Sequence, residues 1–518
     1  MAVLSGGAQA ASVTWPFVSL APLTGLQHGQ PVWWLQLLAL TMLAWMLSAG
    51  TGWRRGALLG WLFATAWLVG TIGWTYVAMH TYAGLPAVLA ALAVLLLSGL
   101  MALFYAAATG LLVLLAPVGR TWRALCFAAL WLLAELARGT WLTGFGWGAG
   151  GYAHVDGPLA GLAPYLGVYG LCGITAWLAM TLAQMGGVAP TARRRARMVT
   201  LIVALAMLAL PSLLQRQRFG VADTAASSGR LSVTLLQGNI PQDEKFESAS
   251  GVPLALRWYA QQLQANRSAL VIAPETAIAR LPQQLPPGYW DALQQRFASG
   301  AQAALIGIPL GNYQQGYTNS VLGLRPGQPQ AWRYDKRHLV PFGEFIPPFF
   351  KWFTELMNIP LGDFNRGAAR QAPFAWQGQR LATNICYEDL FGEELATNFL
   401  DATQAPTIFV NISNLAWFGD SLAINQHLQI ARMRALEFER PFLLATNTGA
   451  TAIVDYRARV TGALTRDSRD VLVGEVEGRT RVTPYAWWVA RFGLWPYWLL
   501  ALGLLWLARR MKPRKIWF

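Results

Sequence analysis

No Lys, Arg, Asp or Glu occurs before Arg54, and apolar runs long enough to cross a bilayer recur at about 32–49, 57–79, 86–116, 124–137, 158–187, 198–214 and 491–508. A chain with this pattern cannot fold as an ordinary soluble globule. Its 54% hydrophobic and 13% charged residues place it among proteins with several membrane spans plus a polar part. A further uncharged run, 12–27, contains Pro16 and Pro22 and reads as a kinked or re-entrant first span. No basic segment precedes it, which argues against a cleaved signal peptide. The run 86–116 is overlong, and 124–137 is short unless it extends into "RGTWLTGFGW". The expectation is about eight transmembrane helices.

Basic residues orient these spans. Arg54 and Arg55 lie between spans two and three, Arg120 and Arg123 between four and five, "ARRRAR" (192–197) between six and seven, and "ARRMKPRK" (508–515) after the last. All fall on one side if the spans alternate, and that side is cytoplasmic by the positive-inside rule. The loops 80–85 and 139–157 are poor in basic residues. The net charge of +15 is therefore a topology signal, and no nucleic acid partner is expected. The polar module between spans seven and eight, which carries most of the acidic groups, must face outward, into the periplasm of a bacterium.

The expected organisation is transmembrane helices one to seven over 1–215, a catalytic domain over 220–485, helix eight over 490–510, and a basic cytoplasmic tail over 511–518. Within the module, 230–240, 269–276, 303–309, 380–388, 406–413, 442–449 and 450–456 read as strands, while 252–268, 289–299 and 421–439 read as helices. A layered α/β domain follows, though periodicity alone does not say which.

Cys126 and Cys172 fall inside predicted spans, where a small apolar residue is the default reading. Cys386 is the only cysteine of the outward module, so it has no disulfide partner there. Its residue type and place leave a buried core thiol and a reactive thiol about equally open. Glu275 follows "LVIAP" and Cys386 follows "LATNI", each at the end of a strand. Lys336, in "RYDKRHLVPFGEF", is one of three lysines in a module that otherwise uses Arg, beside Lys245 and Lys351. A Glu, a Lys and a Cys at one sheet edge would form a carboxylate base, an oxyanion-stabilising ammonium and a thiol nucleophile, with the Tyr387 N–H as a second oxyanion donor. No CxxC pair, HExxH or His-rich cluster points to a metal, and no phosphate-binding loop points to a nucleotide.

The order "PET" (274–276), "YDKRHLVPFGEFIP" (334–347), "ICYED" (385–389) and "NISNLAWFGDS" (411–421) resembles the carbon–nitrogen hydrolase (nitrilase) superfamily. Within it, the chain is similar to the membrane-embedded branch of apolipoprotein N-acyltransferases. The resemblance implies a nitrilase-like αββα sandwich in addition to the multi-span helical membrane domain. It matches Cys386 to the nucleophile, Glu275 to the general base and Lys336 to the oxyanion stabiliser. Glu344, Tyr387 and Glu388 match supporting positions, and Trp417 and Phe418 match aromatics near the substrate entrance. At Phe246 many members carry tryptophan. Glu344 and Glu388 read almost equally well as fold-supporting acceptors, and His338 reads as structural.

The implied reaction is phospholipid-dependent N-acylation of the S-diacylglyceryl cysteine of an apolipoprotein, through a thioester, by a cofactor-free monomer in the inner membrane. Mounting such a site at the membrane surface avoids lifting acyl tails into water, which costs roughly 0.8 kcal/mol per CH₂. "FIPPFFKWFTELMNIPLG" (345–362) reads as a lipid-touching arm. Tryptophans in 141–152 and 485–498 read as an interfacial belt. Glu135, costly in lipid, reads as a partner of Arg138 or as the lining of an opening. A membrane-tethered amidase and a transporter carrying an inactive nitrilase-like domain are the competing expectations.

Overall fold

The computed structural model describes residues 1–48, 51–117, 119–187, 226–328, 330–346 and 364–510, with scattered positions between 198 and 213. The chain divides into two compact units. One comprises Met1–Thr75, Val88–Val221 and Arg491–Phe518, and the other Tyr76–Ala87 and Ala222–Ala490.

The first unit is helical. Among the described residues, Trp53–Ile72, Ala87–Leu115, Arg120–Thr143 and Pro158–Ala183 are long and apolar enough to cross a membrane. The broken pair Pro484–Phe492 and Trp495–Arg510 makes a fifth if counted as one span, and the apolar helix Trp33–Leu47 is shorter. The run 12–27 is not one helix. A helix occupies Ala2–Val13, and Thr14 is already extended. Trp15 precedes Pro16, whose ring disfavours helical backbone in the residue before it. The chain then doubles back, with the Trp15 N–H donating to the Gln30 carbonyl and the Gly29 N–H to the Trp15 carbonyl. Of the predicted span 198–214, residues 198, 202, 205–211 and 213 are described and helical, while the cluster 192–197 and the tail 511–518 lie outside the described residues.

Two arginines gather one end of the helices. Arg123 donates to the carbonyl of Leu47 at 2.9 Å and Arg120 to that of Gln184 at 2.7 Å. Deeper in this unit Glu135 and Arg138, one helical turn apart and both fully buried, pair at 2.9 Å. Arg138 also donates to Tyr105 Oη and to the carbonyls of Phe145 and Trp147, so its planar fork is used on several sides. Cys126 and Cys172 are buried free thiols.

The second unit is built on strands β1 (Ser227–Gln237), β2 (Leu270–Ile272), β3 (Ala303–Asn312), β4 (Gly316–Leu324), β5 (Trp332–Asp335), β6 (Phe374–Trp376), β7 (Gln379–Ile385), β8 (Ile408–Ser413), β9 (Phe442–Thr446), β10 (Ala452–Val454), β11 (Val460–Ala463) and β12 (Asp470–Arg479). They form two six-stranded sheets, in the orders β12-β1-β2-β3-β4-β5 and β11-β10-β9-β8-β7-β6. Each has a parallel centre, β1-β2-β3 in one and β7-β8-β9 in the other, with antiparallel strands outside. The fully buried runs of β2 and β8 suit strands covered on both faces.

The sheets face each other, β1 against β7 and β9, and β12 against β10 and β11. Helices Gly251–Ala265 and Tyr289–Ala298 cover the first sheet through Leu256, Tyr259, Leu263, Leu293 and Phe297. Helices Leu422–Phe438 and Pro484–Phe492 cover the second through Ala431, Ala435, Phe438, Tyr485 and Val489. The layers run helix, sheet, sheet, helix.

The parallel strands end together, and the loops leaving their carboxyl ends hold the ionisable residues, as in other open parallel sheets. Gly307 on β3 packs directly against one of these loops. A Cβ there would lie 2.2 Å from the Pro274 carbonyl oxygen and 2.8 Å from Glu275 Cα. Gly307→Ala must therefore displace the turn that carries Glu275. The expected outcome is a loss of about 1–3 kcal/mol, the usual range for an overpacked core. It is read as a lowered melting temperature of the full chain in detergent, and an unchanged melting temperature would contradict this packing.

Candidate active site

Three loops bring an acid, an amine and a thiol together in the sandwich. Glu275 sits three residues past the end of β2, and its neighbour Thr276 takes a left-handed backbone with φ 47°. Both of its carboxylate oxygens are engaged. Oε1 accepts from Asn319 Nδ2 at 2.6 Å and from Lys336 Nζ at 3.4 Å, and Oε2 accepts from the Asn414 N–H at 2.9 Å.

Lys336 follows β5 directly, and its N–H donates to the Asn319 carbonyl. The ammonium is 1% exposed and lies between two carboxylates, Glu275 and Glu344, with Glu344 Oε1 at 2.9 Å. Asn319 Nδ2 also reaches Glu344 Oε1, at 2.8 Å, so one amide ties the two acids. The second Glu344 oxygen accepts from the Val340 N–H at 2.8 Å, which closes the loop back on itself. Burial alone would lower the Lys336 pKa, but Glu344 and Glu275 together hold it well above its ordinary value. This lysine is an ammonium at any physiological pH.

Cys386 is the first residue after β7 and opens the turn Cys386–Leu390. Its φ of 53° is left-handed, a conformation that a residue with a Cβ adopts only when its surroundings enforce it. The enforcement is visible. Its carbonyl accepts from Asn411 Nδ2 at 2.7 Å, with His427 Nε2 3.5 Å away. Burial pushes the Cys386 thiol pKa far up. Glu275, Glu344 and Asp389 add to the rise, and Lys336 opposes it. The resting thiol is therefore neutral, and a base must remove its proton before it can attack.

Glu388 joins the lysine and cysteine loops. Oε1 accepts from the N–H groups of Arg337 and His338 at 2.7 and 3.0 Å, and Oε2 from the Ile385 N–H at 2.7 Å and Tyr334 Oη at 2.9 Å. Burial lifts its pKa to about 7 against the pull of the His338, Ile385 and Arg337 N–H groups and of Lys336. The fold-supporting reading of Glu388 has a direct geometric basis here.

Tyr387 is buried against His338 and Phe391, and its hydroxyl has no hydrogen-bond partner among the described residues. His338 stacks on Phe391 and bonds Glu394 at 2.9 Å, in keeping with a structural part. Trp417 and Phe418 form a half-buried turn after β8, where Trp417 meets Tyr82 edge-on. The ring contact of Trp417 is with Tyr82, not with Cys386. Phe246 is 46% exposed. The segment 345–362 lies almost wholly outside the described residues.

Sequence reasoning overlooked Asn319, Asn414 and Tyr334. Asn319 sits on β4, whose "GYTNSVLGL" lacks the continuous apolar signature of the central strands. Asn414 lies inside the quoted "NISN", but its contribution to Glu275 is a backbone N–H, which no residue type advertises.

Removing the Glu388 carboxylate would orphan three buried backbone donors. At about 1–3 kcal/mol for each unsatisfied group, Glu388→Ala is expected to cost roughly 3 kcal/mol or more. Thermal unfolding of the full chain measures this, and a wild-type melting temperature would show that the four bonds do not hold the loops.

Comparison with known proteins finds relatives along nearly the whole chain. Residues 17–182 match the apolipoprotein N-acyltransferase N-terminal domain, and residues 232–485 match the carbon–nitrogen hydrolase family. An apolipoprotein N-acyltransferase of Verminephrobacter eiseniae is 55% identical over 514 residues, spanning 95% of this chain and 92% of that protein. One from Ralstonia nicotianae is 43% identical, spanning 90% and 88%. A third, from Bordetella bronchiseptica, is 40% identical, spanning 94% and 93%. With likeness of this extent along nearly its whole length, the chain belongs to the apolipoprotein N-acyltransferase family.

Proposed function

We propose that this chain moves a fatty acyl group from a phospholipid to the α-amine of an apolipoprotein's S-diacylglyceryl cysteine, in two steps through a thioester on Cys386. The observation that carries this reading is the buried cluster in which the charges of Glu275, Lys336 and Glu344 act on one neutral thiol. In the first step the thiol proton passes to the Glu275 carboxylate and Sγ attacks the ester carbonyl. The oxyanion is met by the Lys336 ammonium and the Tyr387 N–H. Collapse expels the lysophospholipid alkoxide, which takes the proton from Glu275. In the second step Glu275 takes a proton from the attacking amine. The thioester carbon then releases Sγ, which regains a proton from Glu275 as the amide forms.

Glu344 anchors Lys336, and Glu388 holds the two loops in register. Trp417 and Phe418 flank the entrance. The eight-span topology, with the catalytic unit in the periplasm and the C-terminus in the cytoplasm, has support from the basic residues. Arg120 and Arg123 of one basic loop bond the carbonyls of Gln184 and Leu47 at the ends of two other helices. The enzyme is expected to work as a monomer without a cofactor.

The test is acyl transfer to a synthetic S-diacylglyceryl-cysteine peptide in phospholipid–detergent micelles. Cys386→Ala is expected to give no N-acylated peptide. Glu275→Gln and Lys336→Met are expected to slow transfer by about 10²–10⁴-fold, the range for losing an acid–base or oxyanion group. Transfer by Cys386→Ala at the wild-type rate would refute the thioester route.

A further inference from the structure

The parallel register of β7 and β8 sets Asn384 beside Asn411, and both residues are buried, at 1% and 0% exposure. Their amides form a directed chain. Asn384 Nδ2 donates to the Val410 carbonyl at 3.2 Å, which turns Asn384 Oδ1 toward Asn411. Asn411 Nδ2 donates to that oxygen at 2.6 Å and to the Cys386 carbonyl at 2.7 Å, so both hydrogens of one NH₂ group are committed. His427 Nε2 makes a looser approach, 3.5 Å from the same carbonyl and 3.2 Å from Asp389 Oδ2. Burying two amides costs desolvation that an apolar pair of the same size would avoid. An amide pair that only kept two strands in register would have no need to reach the carbonyl of Cys386.

We infer that Asn411, aligned by Asn384, is a positioning residue for the oxyanion donor of the site. The inference deepens the proposed acyl transfer and rests on its use of the Tyr387 N–H as that donor. The Cys386 carbonyl and the Tyr387 N–H belong to one planar trans peptide, so they point in opposite directions. Fixing the carbonyl on Asn411 therefore fixes the aim of the N–H. Tyr387 is the second residue of the turn Cys386–Leu390, and the first N–H groups of a helical turn have no partner within it. That leaves this donor for the ester oxygen. The φ of 53° at Cys386 persists only while its surroundings hold the peptide, and Asn411 holds it at 2.7 Å. A hydrogen bond accepted at the carbonyl also polarises the peptide, which makes its N–H a stronger donor. Asn411 does not touch the reacting atoms. It acts through the peptide that does.

The experiment uses the full chain in detergent. A p-nitrophenyl ester of a short fatty acid is the donor, and release of p-nitrophenolate gives the rate at which Cys386 is acylated. Iodoacetamide labelling of Cys386 is measured beside it, because alkylation at a saturated carbon forms no oxyanion. Asn411→Leu keeps the size of the side chain and removes its donors. It is expected to slow acylation by about 10–100-fold, the scale for a misaimed oxyanion donor, through kcat more than KM. Its labelling is expected to stay near the wild-type rate. In the acyl-enzyme, the infrared band of an isotope-labelled acyl carbonyl is expected at higher frequency in Asn411→Leu than in wild type, because the hydrogen bond to that oxygen is weaker. Acylation and labelling that fall together would overturn the inference, since a residue that only holds the cysteine loop in place predicts that result. Acylation at the wild-type rate with an unshifted band would overturn it too. If Asn411→Leu does not fold, Asn384→Ala replaces it. The Asn411 amide then loses its alignment, and a smaller slowing with a band shift in the same direction is expected. Wild-type acylation and an unshifted band in Asn384→Ala overturn the inference. A wild type acylated by the nitrophenyl ester but never by phospholipid would defeat the phospholipid reading instead, and the Asn411 comparison would still decide the place of this residue.

Discussion

A single ammonium held between two carboxylates organises the catalytic unit. Lys336 is almost fully buried, and its charge survives there only because Glu275 and Glu344 both face it. Removing one partner from such a buried pair typically costs about 3–5 kcal/mol. The three residues come from different loops, and Asn319 on β4 ties the two acids together. The charges therefore demand that β2, β4 and β5 end in register. The fold meets that demand by stacking two sheets whose parallel centres finish near one another.

The same demand shapes the cysteine loop. Cys386 is held in a left-handed conformation by side chains that grip its carbonyl, and Glu388 binds backbone donors on both sides of the gap between the lysine and cysteine loops. The thiol this produces is a poor nucleophile by itself, because burial and three nearby carboxylates keep its proton on. That is a consistent design for an enzyme whose proposed thioester must be protected from water. In the proposed mechanism the nucleophile is made only when Glu275 takes the proton, and Glu275 lies within the same ion cluster.

Much of this was legible in the sequence. The long uncharged runs announced a membrane part, and the runs "LVIAP", "LATNI" and "PTIFVNIS" announced the central strands, because strands covered on both faces are rich in apolar residues. Glu275, Lys336 and Cys386 stood out as polar residues at strand ends, and the ordered motifs pointed to the family. What stayed hidden was of two kinds. β4, β5, β6, β11 and β12 are short, antiparallel or partly exposed, so their patterns mix polar and apolar residues. The supports of the site, such as the Asn414 N–H and the Glu275 carbonyl that Lys245 grips, are backbone atoms with no signature in residue type. The run 12–27 misled for a related reason. Its lack of charge suggested a span, but Trp15 precedes Pro16, whose ring disfavours helical backbone in the residue before it, and hydropathy does not register that constraint.

The apolar helices and the ion cluster belong to one account: an acyl donor that never leaves the bilayer, and a thiol that receives its acyl group. The most direct measurement is the intact mass of the full-length protein after incubation with phospholipid alone, with no amine acceptor present. The account predicts a gain of one acyl group on Cys386, removed by hydroxylamine. A wild-type protein that stays unmodified while a competent phospholipid is present would contradict it.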